Sequence, residues 1–410
     1  MRHAAGPRPG AEQGAGPAGR PGPPVPFRQF VLKAHSRCNL VCRYCYLYAG
    51  PDATWRDRPR TPSAAVAART AERIAEHAAA HGLREIAVVF HGGEPLLTGT
   101  GRLVADADLI RAAVPPDCAV RVTVQTNATL LTRARVRALA DAGFGVGVSL
   151  DGGLPAHNAA RVDHTGRPSW PAAAAGLRVL AEYAPEAFAG LLCVVDLRHD
   201  PVEVYESLLA FRPPAVDLLL PHGNWTSPPP GLPAPPEDPA PYGRWLTAVF
   251  DRWWDAPRRE TRIGLFEECA ALLLGAPAAG ERLGLQPFAA VVVETDGTIE
   301  QVDSLKSAYD GAAATGLDVF RHSFDDALAH PGVAARQTGA AALGPTCRAC
   351  PLATVCGGGH YAHRYRAPDG FANPSVYCAD LARLIRHTAT RLAEAAGAGP
   401  GRHTSRESRR

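Results

Sequence analysis

The sequence predicts an α/β chain in which six strand–helix units curl into a partial (β/α)6 barrel, with a cysteine-rich segment after it. Three observations carry this. Short β-rich runs alternate with Ala/Leu-rich helical stretches. A polar or Gly-rich cluster directly follows each run, and seven of the ten cysteines gather in two tight groups.

The predicted strands are 30–34, 86–90, 122–125, 145–150, 191–195 and 216–220, with helices between them at, for example, 64–81, 133–142 and 170–183. Successive β-then-α units imply parallel pairing, because parallel strands need crossover connections. The clusters at the strand ends are His35-Ser36-Arg37-Cys38, His91-Gly92-Gly93-Glu94-Pro95, Thr126-Asn127, Asp151-Gly152, Asp196 and His222-Gly223-Asn224-Trp225. In β/α barrels the C-terminal strand ends build the active site, so one rim carrying six such clusters predicts an enzyme.

Around the barrel (27–240) the sequence predicts a Pro/Gly-rich disordered arm (1–26), a helical and β bridging region (241–345), the cysteine-rich domain (346–395) and a disordered tail (396–410). A Pro-dense stretch at 226–241 closes the barrel half. The helix after it, 242–256, carries Trp245, Val249, Phe250, Trp253 and Trp254 as a core-facing stripe.

Charge is nearly balanced, 43 Lys+Arg against 40 Asp+Glu, which argues against nucleic-acid or membrane partners. Lysine occurs only at 33 and 306, and the Arg, Ala, Gly and Pro bias reads as a trace of nucleotide composition. No apolar run approaches a membrane span, and no apolar signal core opens the chain, so a cytoplasmic location is expected. Disulfides rarely persist there, so clustered cysteines call for metal. Cys118, Cys193 and Cys269 stand alone and read as packing residues.

Cys38, Cys42 and Cys45 are spaced CxxxCxxC. Three thiolates on one loop can hold three irons of a 4Fe-4S cluster and leave the fourth iron open. Zinc would want a fourth ligand, for which only His35 is near, at an awkward reach. The motif, with Tyr44 before its last cysteine, resembles the signature of radical SAM enzymes, and Gly92-Gly93-Glu94-Pro95 resembles that superfamily's GGEP motif. The resemblance implies a TIM-like partial barrel that binds a 4Fe-4S cluster and S-adenosylmethionine. It places Tyr44 near the adenine, Gly92, Gly93, Glu94 and Pro95 on the methionine amino group, and Thr126, Asn127, Ser149 and Asp151 along ribose and methionine. Arg161 falls where related enzymes hold the SAM carboxylate.

Cys347, Cys350, Cys356 and Cys378 form the second group, and on spacing alone a zinc ribbon and an iron–sulfur site are both open. Behind a radical SAM barrel the segment resembles a SPASM domain, which implies that these four cysteines ligate one auxiliary 4Fe-4S cluster. The pattern departs at two places: His360 stands at the last position of the Cys-x2-Cys-x5-Cys-x3-Cys run, and Val302 replaces the cysteine of the Gly-x4-Cys-Asp element. Two clusters in total, not three, are therefore expected. Asp303 survives where sulfatase-maturing relatives carry a proposed general base. His360, His363 and Arg364 read as exposed polar surface.

Residues 356–365, 370–381, 294–306 and 220–223 resemble a narrower group, the FxsB-type cyclophane-forming maturases of ribosomal peptides. That resemblance implies a precursor peptide ending in a Phe-x-Ser-like motif, crosslinked between an aromatic ring carbon and a side-chain Cβ. It also implies an electron donor such as flavodoxin or ferredoxin. Another SPASM-type activity, forming formylglycine or a thioether, and a non-catalytic iron–sulfur scaffold are the alternatives.

Overall fold

The computed structural model describes residues 24–233, 236–277 and 280–397. Twelve strands are present among them: β1 (Gln29–His35), β2 (Leu40–Cys42), β3 (Glu85–Gly92), β4 (Ala119–Thr126), β5 (Phe144–Ser149), β6 (Arg161–Asp163), β7 (Phe188–Val194), β8 (Ala215–Leu219), β9 (Arg262–Ile263), β10 (Ala290–Val293), β11 (Thr298–Glu300) and β12 (Ala314–Asp318). Ten form one open sheet in the order β12-β11-β10-β1-β3-β4-β5-β7-β8-β9. Every pairing from β10 to β9 is parallel, and only β10-β11 and β11-β12 are antiparallel.

The six predicted strands form the contiguous centre of this sheet. The helices α1 (Ala64–Ala80), α2 (Thr100–Ala113), α3 (Arg133–Asp141), α4 (Trp170–Tyr183), α5 (Pro201–Leu209), α6 (Pro241–Trp254) and α7 (Gly264–Leu273) supply most of its crossovers. Several start on sequence-legible caps: Ser63, Thr132 and Asp200 each accept a backbone N–H of the first turn.

Sequence reading did not place the outer strands. Gln29 of β1 registers with Ala290 of β10, so the bridging region extends the barrel sheet. The Asp296-Gly297 pair between β10 and β11 is a hairpin signal, with Gly297 at φ 88°.

The core is continuous from Phe27 to Ile385. Trp245, Val249, Phe250 and Trp253 of α6 are buried as expected and pack with the C-terminal helix Cys378–Gly397. Most of the predicted arm and tail lies outside the described residues. Val25, however, is docked by a reciprocal pair of bonds with the Gln337 amide (2.8 and 2.9 Å), and the last helix runs through Gly397. Among the described residues no helix is long and apolar enough to cross a membrane.

Phe30 is fully buried between His77 and Phe324, joining β1 to α1 and the 324–328 turn. Phe30→Ala is expected to cost about 3–5 kcal/mol, read as a lower denaturant midpoint at unchanged slope.

Candidate functional site

All six predicted rim clusters lie at the C-terminal ends of adjacent parallel strands. Cys38 follows β1, Cys42 closes β2, and Cys45 sits in the next turn, where its N–H donates to the Cys42 carbonyl at 3.1 Å. The short strand β2 pairs with β6 and sets Cys42 directly opposite Arg161. A loop that would otherwise be irregular is thereby fixed to the far side of the rim.

All three thiols are free and half-buried. Burial raises the Cys38 thiol to about 12, with Glu94 and then the other two cysteines adding to it, and raises Cys42 to about 11 against the opposing charge of Arg161. Such thiols need a cation to ionise, which suits metal ligation. They do not form a group tight enough for a single ion, as would befit sulfurs spread around a polynuclear cluster. His35, the one candidate for a fourth ligand, turns its Nδ1 back to the Arg37 backbone at 3.0 Å. Leu40 N–H reaches the Cys38 Sγ at 3.4 Å, and Asn127 Nδ2 approaches it at 3.8 Å. The donor set fits a three-cysteine iron–sulfur site.

Gly92 and Gly93 make the next part of the rim. Gly92 has φ 149°, and a Cβ there would collide with the His35 carbonyl; one on Gly93 would meet the Arg37 carbonyl and the Tyr48 hydroxyl. Only glycine lets β3 leave the sheet this close to the cysteine loop. Glu94 is fully buried, and its carboxylate accepts from Leu96 N–H (3.0 Å), Thr126 Oγ1 (2.7 Å) and Asn127 N–H (2.8 Å). Three of its roughly four acceptor positions are thus used: two splice the end of β3 to the end of β4, and the third caps the Pro95–Thr98 turn. Pro95 is buried at the start of the next 3-10 turn.

Tyr44, Asp151 and Arg161 form a closed trio. The Tyr44 hydroxyl donates to Asp151, Arg161 Nη1 donates to Tyr44 Oη at 2.8 Å, and Arg161 lies 3.7 Å from Asp151. Ser149 accepts from Gln125 Nε2 at 2.9 Å, one strand over. The predicted rim residues Tyr44, Gly92–Pro95, Thr126, Asn127, Asp151 and Arg161 are therefore held together by direct contacts to the cysteine loop or to one another.

Asp303 lies apart from that trio, in a buried network that sequence reading missed. Lys33 Nζ donates to Asp303 Oδ2 at 2.5 Å, and Lys306 Nζ sits 2.5, 2.9 and 3.5 Å from Glu294, Glu300 and Asp303. Arg58 closes the other side on Glu294 (2.6 Å) and Glu300 (2.5 Å). The three carboxylates converge as a metal site would, but the Lys306 ammonium is their cation. Burial alone would raise the Asp303 carboxyl; Lys33, then Lys306, outweigh it and hold it well below its ordinary value. The signal in the sequence was the lysines themselves, since the chain's two lysines both meet Asp303.

Cys347, Cys350, Cys356 and Cys378 are free; burial raises the thiols of Cys347, Cys356 and Cys378, and repulsion adds to it, from Cys350 on Cys347, from Cys378 and Cys347 on Cys356, and from Cys347 and Cys350 on Cys378. They converge beside the glycine run, where Arg364 holds the Gly357 and Gly359 carbonyls at 2.5 and 2.7 Å. Arg364 and His363 are buried, not exposed as expected, because the left-handed turns at Gly357, Gly358 and Gly359 fold this segment back on itself. It docks on the rim: Trp225 N–H donates to the Tyr365 carbonyl at 3.0 Å, and Tyr377 Oη to the Pro221 carbonyl at 2.6 Å.

Residues 33–196 match the family model of the Radical SAM superfamily. The chain is similar to the serine-type anaerobic sulfatase-maturating enzyme of Klebsiella aerogenes, 32% identical over 47% of this chain and 46% of the relative. It is also similar to the cysteine-type enzyme of Clostridium perfringens strain 13, 27% identical over 42% and 44%. It thus spans about half the length of these curated relatives. Among solved structures it shares its fold with native anSMEcpe with bound AdoMet (TM-score 0.75, 21% identity, 90% of this chain and 100% of that one). It shares it as well with Streptococcus suis SuiB bound to precursor peptide SuiA (TM-score 0.54, 15% identity, 86% and 76%). The match to the Radical SAM superfamily covers residues 33–196, and that family implies a 4Fe-4S cluster and S-adenosylmethionine.

Lys306→Met leaves three buried carboxylates facing one fewer cation and is expected to cost about 3–5 kcal/mol at neutral pH in denaturant unfolding. A depressed folded-state carboxyl contributes fully above its unfolded value and loses that contribution in acid. The wild-type chain should therefore lose stability as pH falls below the 3.8 of free Asp. The variant's loss over the same interval should be smaller.

Proposed function

We propose that this chain is a radical S-adenosylmethionine peptide maturase that removes two hydrogens from a ribosomal precursor peptide and joins an aromatic ring carbon to a side-chain Cβ. The observation that carries the reading is the single rim on which the Cys38/Cys42/Cys45 loop, the Gly92–Pro95 turn and the Tyr44–Asp151–Arg161 trio meet. The chemistry supplied by the bound cluster and cofactor is one-electron cleavage of a carbon–sulfur bond, which yields a 5′-deoxyadenosyl radical.

The chain's own residues hold and shield this site. Cys38, Cys42 and Cys45 are the thiolates for the cluster, with Asn127 and Leu40 N–H groups tempering the charge on Cys38. Gly92 and Gly93 supply close backbone approach for the cofactor's methionine end, and Glu94 keeps that turn rigid. Tyr44 lies toward the adenine, Thr126, Asn127, Ser149 and Asp151 along the ribose and methionine, and Arg161 toward the cofactor carboxylate. Cys347, Cys350, Cys356 and Cys378 are the ligands of one SPASM-type auxiliary 4Fe-4S cluster, suited to take an electron from the substrate.

Crosslinking balances as loss of two hydrogens from the peptide. One leaves as a hydrogen atom to the deoxyadenosyl carbon, the other as a proton plus an electron. Asp303 is the group assigned to the proton. Held ionised by Lys33 and Lys306, it can take the acidic proton set free when either the coupled ring or a hydroxy-bearing carbon radical is oxidised, so it serves both ring coupling and formylglycine formation. The sulfatase-maturating relatives favour the second reading, oxidation of a peptide Ser or Cys to formylglycine.

Anaerobic reconstitution with dithionite and S-adenosylmethionine should release 5′-deoxyadenosine, and Cys42→Ala should abolish the release. With a candidate precursor peptide, the product should lose two hydrogens and resist fragmentation between the joined residues. A hydrazide-reactive aldehyde in the product would replace the crosslink with formylglycine.

A further inference from the structure

Outside the cysteine groups and the lysine–carboxylate network, one cluster of side chains has no role in the reading above. His222 stands on the rim loop after β8, and His360 and His363 flank the start of the Tyr361–Arg364 turn. One ring nitrogen from each lies within 4.8 Å of the others. His222 Nδ1 faces His363 Nε2 at 3.2 Å, and His360 Nε2 faces Glu281 Oε1 at 3.0 Å. Tyr46 packs edge-on against His222 and closes one side.

We propose that His222, His360 and His363 form a mononuclear site for a borderline divalent transition-metal ion such as zinc, with Glu281 beside His360 at its edge, separate from both cysteine groups. Ligands about 2.0–2.1 Å from a tetrahedral zinc stand about 3.3 Å apart, close to the 3.2 Å between His222 Nδ1 and His363 Nε2, and His360 closes in on binding. Three imidazoles suit zinc or another borderline ion rather than magnesium or calcium, and with no sulfur they do not suit an iron–sulfur cluster.

The surroundings are those of a built site. Glu281 Oε2 is held by Arg336 Nη2 at 2.5 Å, and that guanidinium is itself clamped over the Phe288 ring, 3.7 Å from its centroid. A support of this kind fixes Glu281 Oε1 against His360. Glu281 also lines a surface cavity with Phe288, Arg336 and Tyr361. Binding has local costs. The contact between His222 Nδ1 and His363 Nε2 must give up its proton so that both nitrogens offer a lone pair, and His360 must free a nitrogen from Glu281 or from the Ala362 N–H.

The test uses the full chain with its iron–sulfur clusters already reconstituted, dialysed against metal-free buffer and then titrated anaerobically with zinc chloride. One zinc per chain should remain after desalting. Its X-ray absorption should show a nitrogen and oxygen shell at about 2.0–2.1 Å with no sulfur. His363→Gln and His360→Gln, whose side chain is mostly buried rather than the exposed surface expected from sequence, should each weaken zinc retention about tenfold or more at unchanged iron content. Failure of the wild-type chain to retain zinc would overturn the proposal. So would a shell containing sulfur at about 2.3 Å, which would put the ion among the cysteines. The wild-type spectrum decides this whether or not the variants fold, and whether or not S-adenosylmethionine is turned over.

Discussion

The pairing of Lys33 and Lys306 on one buried carboxylate, Asp303, is the constraint around which the rest of the molecule is arranged. Three cations (Lys33, Lys306, Arg58) face three anions (Glu294, Glu300, Asp303) in a region nearly closed to water. Buried charge persists only when it is matched and closely bonded, so no member can leave alone. The partners come from β1, the 58–60 segment, the β10–β11 hairpin and the turn after it. Lys33 is five residues before Cys38 on the strand that delivers the cysteine loop. The electrostatic knot therefore sets where that loop begins.

A second constraint is steric. Glu94 ties two strand ends, Gly92 and Gly93 allow backbone contact no other residue would, and the β2–β6 ribbon brings Arg161 across from Cys42. The rim is held by short-range bonds between loops, with the helices serving mainly as its outer support. Substitutions on the outer helices should thus act on stability, and those at the strand ends on the site.

The central six strands were legible because runs rich in Val, Leu, Ile and Phe alternate with helical stretches and each ends on a polar or Gly-rich cluster. β10 (Ala290–Val293) is such a run but leads into a hairpin rather than a helix, so the alternation does not pick it out. β2 and β6 have three residues each and exist because the cysteine loop approaches the 161–163 segment, a tertiary fact with no local trace. The cysteine groups and the Gly92–Pro95 turn were legible because their chemistry needs close spacing in sequence. Lys33 with Asp303, and His222 with His363, are far apart in the chain, and their partnership follows from strand order alone. Lysine scarcity, read as compositional drift, left in place the two lysines that both meet Asp303 in the buried network. The misreading of His363 and Arg364 as surface has a plain origin: three consecutive left-handed glycines reverse the chain, and propensity gives no direction for the return.

The parallel pairing of β1 with β10 has a consequence for how the molecule is made. The first strand to leave the ribosome has to wait for nearly the last before both of its neighbours are in place. Contacts of such wide sequence separation form slowly, and during that interval the strand's edge and the thiols just beyond it stay accessible to solvent and oxidants. The N-terminal thiols therefore gain their full surroundings only once the C-terminal half has folded. Truncated or stalled nascent chains would expose reactive sulfur without the scaffold to organise it.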